Sequence, residues 1–333
     1  MKFVWLAVLG AALGCGNNSA STPDAMVDGT PADAKLPDLP MRLIDTGLYA
    51  DDNRDTLADG VREYTVNYPL WTDNAAKRRF LYLPPGTQIN AADVDFWRYP
   101  EGTKVWKQFA LDGKRLETRL LYKAGPFTQD WKMVAYIWNA DETEAVISEN
   151  GMDNVLGTDH DVPGSDDCRR CHRHQPDILI GVNGIQLNHT MSGLNLPVLV
   201  ADGLITNEVQ SVSYDIPDGG DANTKAALGY LHGNCGVCHH DYSDVPESIK
   251  LRLWLTVDSL ASVQDTTIYL TAVGQPLSLP LTGATSLIEP GDASKSAVYM
   301  RMSMRGDGQM PPLGTEQVDT AASAVVETWI NSL

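Results

Sequence analysis

The chain has 333 residues, 43% hydrophobic and 20% charged, which is enough length for about two domains and enough apolar content for a packed core. Its formal net charge of −18 argues against nucleic acid as a partner, because phosphate backbones call for a basic face. The plain consequence of that charge is an acidic, solvated exterior.

The chain opens on MKFVWLAVLGAALGC. Lys2 supplies a short positive region, and residues 3–13 are apolar but too few to span a bilayer, so residues 1–15 read as an export signal. The run ends in Ala12-Leu13-Gly14-Cys15, which resembles the bacterial lipoprotein box, although Ala12 stands where that box usually has Leu. Cys15 is the one cysteine outside a C-x-x-C pair, which favours lipidation at Cys15 over an ordinary secretory signal. Asn17 in place of Asp leans towards the outer membrane of a Gram-negative bacterium. The expected location is the periplasm or cell surface, with acyl chains as the membrane anchor. Residues 16–40, rich in Ser, Pro, Asp, Ala and Gly, read as a flexible tether.

Residues 41–150 have a β texture. Strands are predicted at 63–68, 79–83, 104–111, 115–123 and 131–138, separated by turn residues such as Pro84-Pro85-Gly86 and Asp112-Gly113. The expectation is an antiparallel sandwich. Trp71, Trp97, Trp106, Trp131 and Trp138 fall here and are expected in its core, with a ligand groove as the alternative.

From residue 151 the texture changes to loops and short helices. Helices are predicted at 221–232, at 293–304 with Asp292 as cap, and at 320–333, where Val325, Val326, Trp329, Ile330 and Leu333 make one apolar stripe. The fold class expected is α+β: a β-rich domain followed by a mainly helical region.

The four remaining cysteines form two C-x-x-C-H motifs, Cys168-Arg169-Arg170-Cys171-His172 and Cys235-Gly236-Val237-Cys238-His239. This is the attachment signature of c-type haem. Two thiols one helical turn apart reach two vinyl groups on one porphyrin edge, and the adjacent histidine binds iron. Zinc pairs are typically separated by about 15–20 residues, far fewer than here. A disulfide framework gives no reason for a histidine after both pairs, and a thioredoxin-like dithiol expects a βαβ context. Two covalent haem c groups are therefore expected, on Cys168 and Cys171 (residues 151–222) and on Cys235 and Cys238 (residues 223–333), with His172 and His239 as proximal iron ligands.

Downstream lies GQMPPLG, in which a thioether is followed by rigid prolines. The order of helix, C-x-x-C-H, Met loop and terminal helix resembles the small single-haem cytochrome c domain, and that resemblance implies Met310 as distal ligand of the second haem. Met300, Met302 and Met304 are the competitors. For the first haem no such loop follows. His189 and Met191, or His160 and Met152 upstream, are the candidates, and an open site is the alternative. His240 is expected to face solvent or a propionate, and His232 to be structural. Arg169, Arg170 and Arg173 are expected to pair with propionates or surface acids.

The segments YPLWTDNAAKRRFLYLPPGT, ETRLL, YIWNADETEA, CRRCH, GIQLN, YLHGNCGVCH and MPPLG occur in this order. Together they resemble a family of exported bacterial dihaem c-type cytochromes of uncharacterised role, over most of the chain from about residue 42. The resemblance implies two haems and a β-rich N-terminal domain, and no particular reaction. The function expected is electron transfer with a redox partner protein. A dihaem peroxidase-like enzyme with the first haem as reactive centre is the alternative, and a binding module served by the haems is a third.

Overall fold

Asp112 and Gly113 both adopt positive φ, 50° and 80°, and join two long strands through a two-residue turn. This is the conformation for which an Asp-Gly pair is suited. The hairpin is the middle of a six-stranded antiparallel sheet in the computed structural model, which describes residues 38–172 and 175–333. Cys15, the predicted signal and residues 16–37 of the predicted tether lie outside the described residues, as do Arg173 and His174.

The strands are β1 (Val61–Tyr64), β2 (Ala76–Tyr82), β3 (Lys104–Leu111), β4 (Lys114–Lys123), β5 (Trp131–Trp138) and β6 (Ala145–Ser148), paired in chain order. In register, Phe80, Trp106, Leu120 and Val134 stand opposite one another on one face, and Leu81, Val105, Leu121 and Met133 on the other. Both faces of the central strands are thus apolar and both need cover. Leu43, Leu48 and Tyr49 cover the first face. The second joins a larger core that runs on through Leu187, Leu228, Ile288 and Trp329. The expected sandwich is therefore corrected among the described residues. There is one sheet, and its second layer is made of helices and loops. Alternation along a strand shows that a face is buried but not what buries it.

The helices are α1 (Ser165–His172), α2 (Gly184–Leu187), α3 (Leu196–Ala201), α4 (Ala222–Asn234), α5 (Thr267–Ala272), α6 (Ala297–Met302) and α7 (Thr320–Ser332). The α4 and α7 helices pack on one another, and Asp221 and Asp319 cap their first turns. The helix predicted over 293–304 is broken. The 3₁₀ turn Ala293–Lys295 and α6 are separated by Ser296, which is extended at φ −95°, ψ 116°. The cause is competition for the backbone: Lys295 O accepts from Thr285 N, and Ala297 N donates to Ser286 O. Asp292 does not cap that turn through its side chain; it holds Ser294 Oγ at 2.6 Å and Lys295 Nζ at 2.9 Å.

Trp97, Trp106, Trp131 and Trp138 are buried, as core residues should be, while Trp71 is half-buried. No helix among the described residues is long and apolar enough to cross a membrane.

Candidate functional site

The first C-x-x-C-H motif ends α1. On a helix, residues three and four apart share a face, so Cys168, Cys171 and His172 project together. Asp166 and Asp167 occupy the first turn, where the helix dipole favours acids. His172 Nδ1 lies 2.8 Å from the carbonyl oxygen of Ile178. Burial holds this imidazole down to about 4, against the opposing pull of that hydrogen bond, with Lys107 and Arg119 adding to the depression. The ring is neutral, Nδ1–H donates, and the Nε2 lone pair is left for a ligand role.

Ile178 makes this contact from φ +28°, unusual for a β-branched residue, while 3% exposed. Its neighbour Asp177 fixes it there. The Asp177 carboxylate accepts from Lys123 Nζ (2.7 Å), Tyr99 N (2.7 Å) and Trp131 Nε1 (2.5 Å), all from the sheet region. Strands β4 and β5 thereby position the carbonyl that orients His172.

The second motif follows α4 directly. Cys238 N and His239 N both donate to Cys235 O, at 3.1 and 2.9 Å, closing one helical turn. A Cβ at Gly236 would lie 2.6 Å from His232 O and 2.8 Å from Leu253 O, so only glycine allows segment 253–254 to lie on the motif. Leu253 N donates to His239 O at 2.8 Å. Burial lowers the pKa of His239 against the opposing pull of the Leu251 backbone, and among the described residues its buried Nδ1 has no hydrogen-bond partner of good geometry. His232 is 1% exposed and its Nδ1 accepts from Leu255 N at 3.0 Å, which ties α4 to the segment after the motif. His240 does not face solvent, one of the two expected settings. It is 4% exposed, accepts from Tyr242 N at 3.2 Å and packs near Trp254, because the 251–254 segment folds over it.

The fold brings the two motifs side by side. Cys171 Sγ and Cys238 Sγ are 3.8 Å apart. The hydrogen bond from Cys238 lowers Cys171 to about 7, while burial opposes and Arg170 and Arg119 assist. The Cys238 thiol is pushed up by the same contact. Burial raises Cys168, and raises Cys235 to about 12. None of the four is in a disulfide, and Cys168 and Cys235 pack against the same large core. Among the described residues, no three His, Cys, Asp or Glu side chains converge as a metal site.

Met310 is half-buried on a loop with extensive bonding of its own. Met310 N donates to Arg301 O at 3.0 Å. Gln309 Nε2 donates to Pro311 O and Thr315 O, and Arg305 to Met304 O and Gln317 O. Asp73, from the turn before β2, accepts from Thr315 Oγ1, Glu316 N and Gln317 N at 2.7–2.9 Å. Asp73 and Asn74 both have positive φ, 49° and 64°. Met302 is buried in the main core, and Met300 and Met304 are half-buried. His189 stands apart from these groups: its Nε2 bonds Thr65 O at 3.1 Å and its Nδ1 accepts from Met191 N at 3.2 Å, so both nitrogens are engaged. His160 bonds Glu117 at 2.7 Å, and exposed Met152 lies on the surface.

Sequence reading missed a group of charges on the inner face of the sheet. Glu117, with no exposure, is held by Arg119 Nη2 at 2.5 Å, Arg119 Nε at 2.9 Å and His160. Arg79 and Lys107 lie on the same face. The signal was present in AKRRFLY, WKQFAL and ETRLL, where charges occupy the same alternation as inward apolar residues. No family model, curated protein or solved structure matches the chain.

Proposed function

We propose that this protein is an exported electron-transfer cytochrome with two covalent haem c groups, tethered to a membrane by a lipid on Cys15. One observation carries the reading. All four described cysteines lie in C-x-x-C-H turns, and the two turns adjoin at the Cys171–Cys238 contact of 3.8 Å. Cys168 and Cys171 would hold one group and Cys235 and Cys238 the other through thioether bonds. His172 offers Nε2 because its Nδ1–H donates to the Ile178 carbonyl. His239 is the corresponding ligand of the second group, and Met310 its distal partner. Haem, when bound, supplies the one-electron chemistry, and the protein supplies ligands, burial and orientation. With attachment points in contact, both groups would sit within one body that passes electrons between a redox partner protein and an acceptor.

The test is a haem stain on a denaturing gel, using protein from a host competent in cytochrome c maturation. A stained band, halved in intensity by Cys168→Ser with Cys171→Ser, is expected. An unstained wild-type band overturns the reading.

One observation favours a second reading, in which the first iron is open to a small ligand and performs peroxidase-type chemistry: both nitrogens of His189 are engaged by protein groups. Cyanide binding and a high-spin signal from one haem would support it. Wholly low-spin spectra without cyanide binding or peroxide turnover would exclude it.

A further inference from the structure

Three basic side chains stand in lateral register across the sheet. Arg79 on β2 is opposite Lys107 on β3, and Lys107 is opposite Arg119 on β4. Like charges in directly paired positions weaken a sheet. The next residue in the row is Ala135 on β5, the strand against which α1 packs. The row therefore runs from β2 towards the helix that carries the first C-x-x-C-H turn, with Arg119 at the near end and Arg79 at the far end.

The counter-charge is incomplete. Glu117 is committed to Arg119 and His160. Arg79 is only 8% exposed. Among the described residues, neither Arg79 nor Lys107 has a hydrogen-bond or ion-pair acceptor, and the Lys107 ammonium rests 4.9 Å from the Phe109 ring centroid. Lys77, two residues before Arg79 on the same face, is satisfied by Leu70 O and Thr72 Oγ1. Arg79 is buried and Lys107 half-buried; clustered cations without acceptors repel one another, and an anion between them relieves that repulsion. The exposed Arg169 and Arg170 of α1 offer no such enclosure.

We infer that the Arg79–Lys107 end of this row, the end away from the attachment cysteines and opposite the porphyrin's vinyl edge, is a carboxylate-binding floor that takes the propionates of the haem attached at Cys168 and Cys171. This rests on the haem reading of that motif. The planar fork of Arg79 suits bidentate carboxylate binding, and Lys107 serves as a point charge. A free dicarboxylate would satisfy the same chemistry.

The haem-loaded protein is compared with Arg79→Gln, Lys107→Met and the double variant. Covalent haem should remain. One of the two reduction potentials should fall, because lost positive charge favours the ferric form. The propionate-bending bands of that haem should shift in resonance Raman spectra while the other haem is unmoved. Arg79→Lys should recover most of the potential. Unchanged potentials and bands in the double variant overturn the inference and leave the haem reading intact. If wild-type protein carries no haem, the haem reading fails and succinate alone tests the row: saturable thermal stabilisation lost in Arg79→Gln supports a carboxylate floor, and no stabilisation overturns it. Succinate stabilising the haem-loaded protein through Arg79 would overturn the propionate assignment in favour of a free ligand.

Discussion

The Asp177 carboxylate and the Lys123 ammonium meet at 2.7 Å with side chains 0% and 5% exposed, and the residue after Asp177 carries the carbonyl that orients His172. A sheet residue thus governs the geometry of the first motif through one buried ion pair. Asp177→Asn leaves Lys123 enclosed without its counter-charge, which costs about 3–5 kcal/mol where a buried pair is broken. A urea midpoint lowered to that extent is expected and, if the proposed haem is attached at the first motif, a changed spectrum for that haem. An unchanged midpoint would remove the ion pair from this account.

Glu117 responds to acid in a defined direction. Burial works to raise its pKa, but Arg119 and His160 outweigh it and the net shift is downward. The ordinary glutamate value is about 4.3. A depressed folded value means that the stabilisation is complete above this and is lost as pH falls through the folded pKa. Glu117→Gln should lower stability at neutral pH by about 3–5 kcal/mol, since Arg119 keeps its charge inside. It should also flatten the acid limb of the unfolding curve; a limb as steep as that of wild type would contradict this.

Asp95 behaves in the opposite sense. Its carboxylate accepts from Val257 N at 2.8 Å, linking the loop before Trp97 to the segment beyond the second motif. Burial raises its pKa to about 6, with the Val257 bond opposing and Asp93 and Asp258 assisting. The folded state then holds a proton that the unfolded chain releases near pH 4, so stability falls as pH rises from about 4 to about 6. Asp95→Asn should abolish this slope. Melting temperatures measured across that window decide the matter.

Asp73 fixes the stretch that follows Met310 through three hydrogen bonds. Hydrogen bonds to charged groups contribute about 1.5–3 kcal/mol each, net of exchange with water. Asp73→Ala should loosen the loop and, on the proposed cytochrome reading, weaken the methionine–iron charge-transfer band of the haem at Cys235 and Cys238 without releasing that haem. If Met310 is the proposed distal ligand, Met310→Ala should abolish that band and lower one reduction potential, since His/Met ligation raises it. A full band in Asp73→Ala would show that Gln309 and Arg305 suffice to hold the loop.

The local order of the chain was readable because its signals act over one or two turns. Strands β3 and β5 coincide with the stretches predicted from alternation, and α7 ends one residue short of prediction. The helix over 293–304 failed because distant backbone at 285–286 claimed its hydrogen bonds, which no helical periodicity registers. By itself the sequence determined that Cys, Cys and His recur on one turn at two places, and that the central strands are apolar on both sides. Only the tertiary structure decided which of these groups meet. It set Cys171 against Cys238, brought Asp73 to the Met310 loop, and aligned Arg79, Lys107 and Arg119 across three strands. The reason is physical: periodicity assigns a residue to a face, while its neighbour on that face depends on strand register and on packing between segments far apart in the chain. A lysine within a strand therefore reads as solvent-facing until the fold encloses it.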